Sequence, residues 1–325
     1  MLTKPFFERM TCMKKKLKNL VLFTTLSACG IHLLNKFLTF TATIRELLKT
    51  ELGYYYEWRF GKIYYTKQGK GSPLLLIHDL TTGSSSYEWN ELISKLAENH
   101  TVYAIDLLGC GRSDKPNLTY TNFLYVQLIS DFIKNIIGHK TDVIVTGDSA
   151  PLVVTACSND ETLFNKVIMI NPTSLYKLNE IPSKRTKTLK LLIETPILGT
   201  LLYNIYALKA NVETKFAEKY FFHSFKVTDA HINTYYEASN LGNAKYLFAS
   251  IKGRYTNMNI IHALKNINHS LFIIGGSDEE DIKTTIDNYS YYNPSIESYT
   301  IPKTKHLPQL ETPKGVLEQI EIFLG

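Results

Sequence analysis

A serine at position 149 stands in the string Gly147-Asp148-Ser149-Ala150-Pro151, directly behind the apolar run Val143-Ile144-Val145-Thr146. A buried strand that ends in Gly-x-Ser-x-(small) and continues into Leu152-Val153-Val154-Thr155-Ala156 reads as strand, sharp turn, helix. That geometry holds a hydroxyl clear of the sheet, at the positive end of the helix. A serine is a poor nucleophile until a base takes its proton and donors shelter the oxyanion that forms. Candidate helpers follow in the chain. The apolar run Leu271-Phe272-Ile273-Ile274-Gly275 leads into Gly276-Ser277-Asp278, and the string Thr304-Lys305-His306-Leu307-Pro308 comes later. The order is serine, acid, histidine.

Two upstream strings extend the pattern. Leu74-Leu75-Leu76-Ile77 runs into His78-Asp79-Leu80, and Val102-Tyr103-Ala104-Ile105 runs into Asp106-Leu107-Leu108-Gly109-Cys110-Gly111-Arg112-Ser113-Asp114. Over residues 55 to 325 the chain resembles the α/β-hydrolase-fold family of the capped, esterase-like kind. The resemblance implies a mostly parallel sheet flanked by helices, with a helical cap inserted after the sixth strand. It implies a serine hydrolase that cleaves a carboxylic ester or related acyl substrate through an acyl-enzyme. Ser149 would attack, His306 would carry the proton, and Asp278 would fix the imidazole tautomer, with Glu279, Glu280 and Asp281 adjacent to it. The backbone N–H groups of Leu80 and Ala150 would receive the oxyanion. His78 is read as structural, and Asp106, Arg112 and Ser113 as loop-fixing residues. A serine at the elbow argues against dehalogenase and epoxide-hydrolase chemistry, for which the family carries aspartate there. Three positions depart from the family strings: Asp79 and Pro151 replace glycines, and Lys305 precedes the histidine where glycine is common. Asp79 and Pro151 favour the alternative reading, a catalytically silent member that binds a ligand or partner at a membrane.

The composition suits an ordinary globular protein: 325 residues, 44% hydrophobic, 20% charged, formal net charge +6. No zinc-type cysteine pairing or aromatic RNA-binding string is present, so neither metal, cofactor nor nucleic acid is expected. Cys12, Cys29, Cys110 and Cys157 have no framework spacing; disulfides are not expected, and Cys110 and Cys157 read as packing residues. The basic cluster around Lys184-Arg185-Thr186-Lys187 reads as a solvated helix face.

Residues 1–50 form a basic and then apolar segment. Lys14, Lys15, Lys16 and Lys18 precede an apolar run from Leu20 to Leu34. This is how an anchor or signal begins. A span over residues 14–44 would include His32, Asn35 and Lys36. The expectation is a membrane-associated protein with a single N-terminal anchor. Competing readings are an interfacial helix with Lys36, Arg45, Glu46 and Lys49 on its wet side, a lipoprotein box at Leu26-Ser27-Ala28-Cys29, and a helix packed on the domain. The basic flank would keep the N-terminus cytoplasmic, although Lys36, Arg45 and Lys49 pull the other way.

The remainder divides into a first core part (51–172), a helical cap (173–265) and a second core part (266–325). Tyr54–Phe60 and Lys62–Tyr65 around Gly61 read as a strand pair. Helical periodicity covers 122–137, and strands alternate with helices up to Asn171. Helical segments then follow one another over 186–194, 198–207, 212–220 and 229–239. Their aromatics (Tyr203, Tyr206, Phe216, Tyr220, Phe221, Phe222, Phe225, Tyr235, Tyr236) fit either cap core or an apolar acyl pocket, which would take a small apolar acyl or ester substrate.

Overall fold

The computed structural model describes residues 4–49 and 53–325, with side chains in the first helix described from Lys14 onward. The boundary drawn at residue 50 and the side chain of Cys12 lie outside the described residues. Eight strands form one sheet: β1 Gly53–Trp58, β2 Gly61–Gln68, β3 Ser72–Ile77, β4 His100–Ile105, β5 Thr141–Thr146, β6 Phe164–Ile170, β7 Leu271–Gly276 and β8 Glu297–Ile301. Their order is β1-β2-β4-β3-β5-β6-β7-β8. β2 runs antiparallel to both neighbours, and every pair from β4 to β8 is parallel.

The apolar runs are continuous because the central strands are covered on both faces. Leu75, Ile77, Val143, Val145, Val167, Met169, Leu271 and Ile273 point into one core, and Leu74, Leu76, Ile144, Ile168, Ile170, Phe272 and Ile274 into the other. α1 (Lys4–Thr43) precedes the sheet; α2 (Asn90–Leu96), α3 (Asn122–Phe132) and α4 (Ala150–Asn159) belong to its first half. After β6 come α5 (Leu175–Leu178), α6 (Lys184–Glu194), α7 (Ile197–Tyr206), α8 (Lys209–Lys215), α9 (Asp229–Asn240) and α10 (Lys245–Lys252). This is the helical cap. α11 (Ile261–Asn266) and α12 (Ile282–Tyr292) return to the sheet, followed by α13 (Pro308–Glu311) and α14 (Pro313–Leu324).

The cap has cores of its own. Ile193, Tyr203, Ala244, Phe248 and Ala249 form one; Val212, Phe216, Phe221 and Tyr235 form another with Leu307 and Leu310 from the histidine loop. Of the aromatics singled out above, Tyr203, Phe216, Phe221 and Tyr235 are therefore cap core, whereas Phe225 is exposed. Cys110 and Cys157 are buried in the main core.

Among the described residues one helix, over Lys14–Thr43, is long and apolar enough to cross a membrane. Its first part is exposed on all sides. From Asn35 onward it packs on α7 and α9.

Candidate active site

Parallel strands deliver their C-terminal ends to one edge, and the site lies there. The turn after β5 decides the chemistry. Gly147 closes that strand at φ 54°, in the left-handed region. The strained corner at which the α/β-hydrolase plan exposes its nucleophile is thus occupied by a residue with no side chain. A β-carbon at Gly147 would run into the Asp79 carboxylate. Ser149 comes two residues later with helical backbone (φ −83°, ψ −21°) and is fully buried. Its hydroxyl donates to the His78 carbonyl at 2.7 Å. The expected nucleophile is therefore not brought to His306. The Gly-x-Ser string was in a register two residues off, because its glycine is the turn residue itself.

The neighbouring turn, after β3, fills the vacancy. Asp79 is buried, and its Oδ1 accepts from its neighbour's N–H, Leu80 N, at 2.8 Å and from Asp148 N at 2.7 Å. One N–H follows the residue at the strained corner and the other comes from the β3 loop, which is how the fold builds an oxyanion hole. Leu80 is in the expected place. Ala150 is not, because its N–H closes the turn onto Gly147 O; Asp148 supplies the second donor.

His306 lies in the loop before α13. Its Nε2 is 3.2 Å from Asp79 Oδ2 and its Nδ1 is 2.9 Å from Glu279 Oε1. The carboxylate that meets His306 is thus that of Glu279 and not that of Asp278. Asp278 points to solvent, its Oδ2 accepting from Ser277 Oγ at 2.6 Å, while its backbone N–H is held by Thr304 O. Burial opposes charge on both His306 and Asp79, but their mutual contact and the Glu279 hydrogen bond outweigh it. The imidazole is held well above its ordinary pKa and the Asp79 carboxyl below its own. His306 is thus held between the Asp79 and Glu279 side chains.

Residues that the strings did not reveal hold these groups. Asn171, at φ 45° after β6, donates through Nδ2 to Lys305 O (2.8 Å) and His306 O (2.9 Å), and its Oδ1 accepts from Gly276 N at 2.8 Å. It clamps the histidine loop to the end of β7. Glu88, fully buried, accepts from Asp79 N (3.0 Å), Thr146 Oγ1 (2.9 Å) and Tyr235 OH (3.0 Å), and burial pushes its pKa up. The sequence signal for Asp79 was its presence where the family has glycine; nothing in the strings separates Glu279 from Asp278 or marks Asn171 and Glu88.

His78 is structural, as expected. Its Nε2 accepts from Leu107 N (2.9 Å), so Nδ1 carries the proton and donates to Asp79 O (2.7 Å). Asp106 fixes the next loop through Ser86 N, Arg112 Nε and Arg112 N, and Ser113 Oγ donates to its carbonyl. A cavity of about 900 Å³ opens over Asp79 and His306. Tyr206, Phe248 and Tyr220 line it, but so do Lys177, Lys215, Arg254, Glu218 and Glu280, so its wall is mixed rather than apolar. Tyr220 stacks on His306 at 5.5 Å between ring centroids, and its carbonyl accepts from Leu307 N at 3.1 Å.

Residues 74–319 match the family described as Alpha/beta hydrolase family. A segment of 71 residues is 39% identical to the 2-hydroxy-6-oxo-6-(2'-aminophenyl)hexa-2,4-dienoic acid hydrolase of Metapseudomonas resinovorans, covering 22% of this chain and 24% of that protein. A segment of 83 residues is 34% identical to the soluble epoxide hydrolase of Corynebacterium sp. (strain C12), covering 26% and 28%. The matched segment thus spans about a quarter of each of these relatives. Among solved structures, that of a membrane phospholipase A superposes over 96% of this chain and 98% of its own, with a TM-score of 0.68 at 16% identity. With three quarters of its length on the family pattern and the sheet order to match, the chain belongs to the alpha/beta hydrolase family.

Proposed function

We propose that this protein is a hydrolase whose nucleophile is the Asp79 carboxylate, acting on a small organic electrophile through an alkyl-enzyme ester. One observation carries the reading: Asp79 has one oxygen seated between two backbone N–H groups and the other against the His306–Glu279 pair. A buried ion pair contributes little to stability for its desolvation cost, which makes its placement at a cavity floor a functional signal.

The chemistry runs in two steps. Oδ2 donates an electron pair to a saturated carbon, and the bond from that carbon to its leaving atom breaks with the leaving atom taking the pair. Tyr220, whose pKa is driven up by burial, keeps its proton and can offer it to that atom from the cap side. Esterification removes the Asp79 charge, the main partner that keeps His306 protonated. The imidazolium then gives up its proton, which replaces the one that Tyr220 passed to the leaving atom, and the neutral imidazole serves as base. Water attacks Asp79 Cγ and gives its proton to Nε2; Glu279 steadies the imidazolium. The oxyanion on Oδ1 already lies between Leu80 N and Asp148 N. The bond from Cγ to Oδ2 then breaks, the alcohol leaves with the proton from His306, and the carboxylic acid left on Asp79 passes its proton to the neutral imidazole, which restores the starting pair.

An ester hydrolase using Ser149 requires that hydroxyl to leave a buried carbonyl partner and reach His306 past Asp79; the geometry offers it no support. The silent-binder reading is favoured by one observation, that Asp79 and His306 neutralise each other and fill the oxyanion hole. The test separates them. In His306→Gln protein the first step proceeds and the second stalls, so epoxides and alkyl halides should leave a covalent adduct on the peptide that holds Asp79, read by mass spectrometry. Glu279→Gln should accumulate the same adduct more slowly. A folded protein that shows no adduct in either variant, across both electrophile classes, overturns the carboxylate mechanism and leaves the silent binder.

A further inference from the structure

The first half of α1 has no protein covering it: Leu17, Leu20, Val21, Leu22, Phe23 and Leu26 are all more than half exposed. Leu17 through Leu34 is 18 residues, about 27 Å at the helical rise, close to a bilayer's hydrocarbon thickness. Apart from Lys18 and Asn19 at its start and His32 near its end the stretch is largely apolar, and an uncovered apolar surface of this size is unfavourable in water.

Directly after this stretch the helix is locked to the cap. Asn35 Nδ2 donates to Ile197 O (3.1 Å), and Asn204 Nδ2 donates to Asn35 Oδ1 (2.9 Å). Beyond its C-terminus, Leu47 N and Leu48 N donate to the Glu237 carboxylate at 2.8 and 3.1 Å, and Arg112 Nη1 donates to Leu48 O. The helix is therefore a rigid strut, and its direction determines which face of the cap meets the membrane. That face is α7, which packs along α1. α7 turns Leu198 (58% exposed), Leu202 (44%) and Ile205 (50%) outward at i, i+4, i+7 spacing, and Leu191 (65%) extends the stripe onto α6. Lys184, Arg185 and Lys187 at the start of α6 are exposed and suit anionic headgroups. Thr186, Leu189 and Tyr206 of the same two helices line the cavity.

We propose that α6 and α7 rest in the surface of an anionic lipid bilayer beside a membrane-spanning α1, and that the cavity is supplied from that bilayer with a lipid-dissolved electrophile. The bilayer contact is continuous with the helix that enters the membrane and needs no rearrangement of the cap. The identity of the substrate as an electrophile rests on the carboxylate mechanism above; the contact does not.

Single tryptophans in the full chain test the contact. The native Trp58 and Trp89 are buried and give a constant background. Leu26→Trp, Leu202→Trp and Ile205→Trp would be placed in vesicles of phosphatidylglycerol and brominated phosphatidylcholine, with Ile322→Trp on α14 as the control. The expected result is strong quenching at position 26, at least half as much at 202 and 205, and almost none at 322. Quenching at 26 without quenching at 202 and 205 overturns the bedding of the cap, and its absence at 26 overturns the span itself. Because quenching needs no turnover, its failure is distinguishable from failure of the Asp79 chemistry. Adduct formation on Asp79 in His306→Gln protein by a short soluble electrophile, with none from a long-chain one dissolved in the vesicles, would overturn the lipid-borne substrate.

Discussion

The turn after β3 carries a charged side chain into the floor of the cavity, whereas the turn after β5 brings only a glycine there. In the family plan the β5 turn supplies the attacking atom and the β3 turn supplies backbone only. Here Gly147 leaves room that Asp79 occupies, and the two N–H groups that would receive an oxyanion grip the Asp79 carboxylate. The lesson is that the fold fixes a point in space beside His306, and either of two adjacent strands can deliver a side chain to it.

The largest test of this exchange removes the carboxylate. Asp79→Asn keeps the shape but loses the charge and the attacking oxygen, so turnover should fall by about 10⁴ or more, as for other nucleophile deletions. A sharper form reverses the exchange. In Gly147→Ser combined with Asp79→Gly the strained corner regains a hydroxyl and the obstruction is gone. That protein should react with a fluorophosphonate, and the parent should not. Gly147→Ser alone should be poorly folded, because the new side chain meets Asp79 in a backbone conformation that favours glycine.

Positioning comes next in size. Asn171 joins the histidine loop to β7 through three hydrogen bonds. Asn171→Leu breaks all three and lets the imidazole drift; a misplacement near 1 Å commonly reduces turnover by about 10². The loss should fall on kcat, with KM little changed, and adduct hydrolysis should slow more than adduct formation.

Much of the architecture was legible because the strands are covered on both faces and so read as unbroken apolar runs, from Leu74–Ile77 to Leu271–Ile274. His306 was legible from its place in the chain order. The carboxylate beside His306 lies one residue past the expected Asp278 because the two acids share a loop, and the hydrogen bond from Asp278 N to Thr304 O turns the first outward. The corner lies two residues before the serine because a glycine ahead of a serine looks like a spacer, and only the backbone angle of Gly147 shows it to be the corner. Asp79 stands out in its string as a misfit; which way its carboxylate points depends on Gly147, 68 positions later in the chain. Such long-range pairings are invisible to string spacing.

The pH dependence separates the two turns without mutation. His306 is held well above its ordinary value of 6.5 and Asp79 below its value of 3.8. If the β5 turn supplied the nucleophile, kcat/KM would need neutral imidazole in the free enzyme and would rise only at pH well above 6.5. With Asp79 attacking, kcat/KM needs only its anion and should be flat from mildly acidic pH upward, falling as acid protonates Asp79. Stability follows the same groups with opposite signs. The raised His306 stabilises fully below 6.5 and loses its contribution as pH rises through its folded pKa; the depressed Asp79 contributes above 3.8 and loses it as pH falls through its own. Thermal melts across pH should therefore show a plateau bounded by these two losses.

The smallest effect belongs to the residue that looked most important. Ser149→Ala removes one hydroxyl whose single hydrogen bond goes to His78 O, leaving that carbonyl without it at a buried site. The expected loss is about 1–2 kcal/mol of stability. Turnover at a temperature where the protein is folded should change less than about threefold, against the 10⁴ or more expected of a nucleophile. Ser149→Cys, which keeps a weak donor, should recover part of the stability and gain no reactivity toward thiol reagents, since the side chain faces the sheet and not the cavity. A large loss of kcat in folded Ser149→Ala protein would return the attacking role to the β5 turn and leave Asp79 as an occupant of the oxyanion hole.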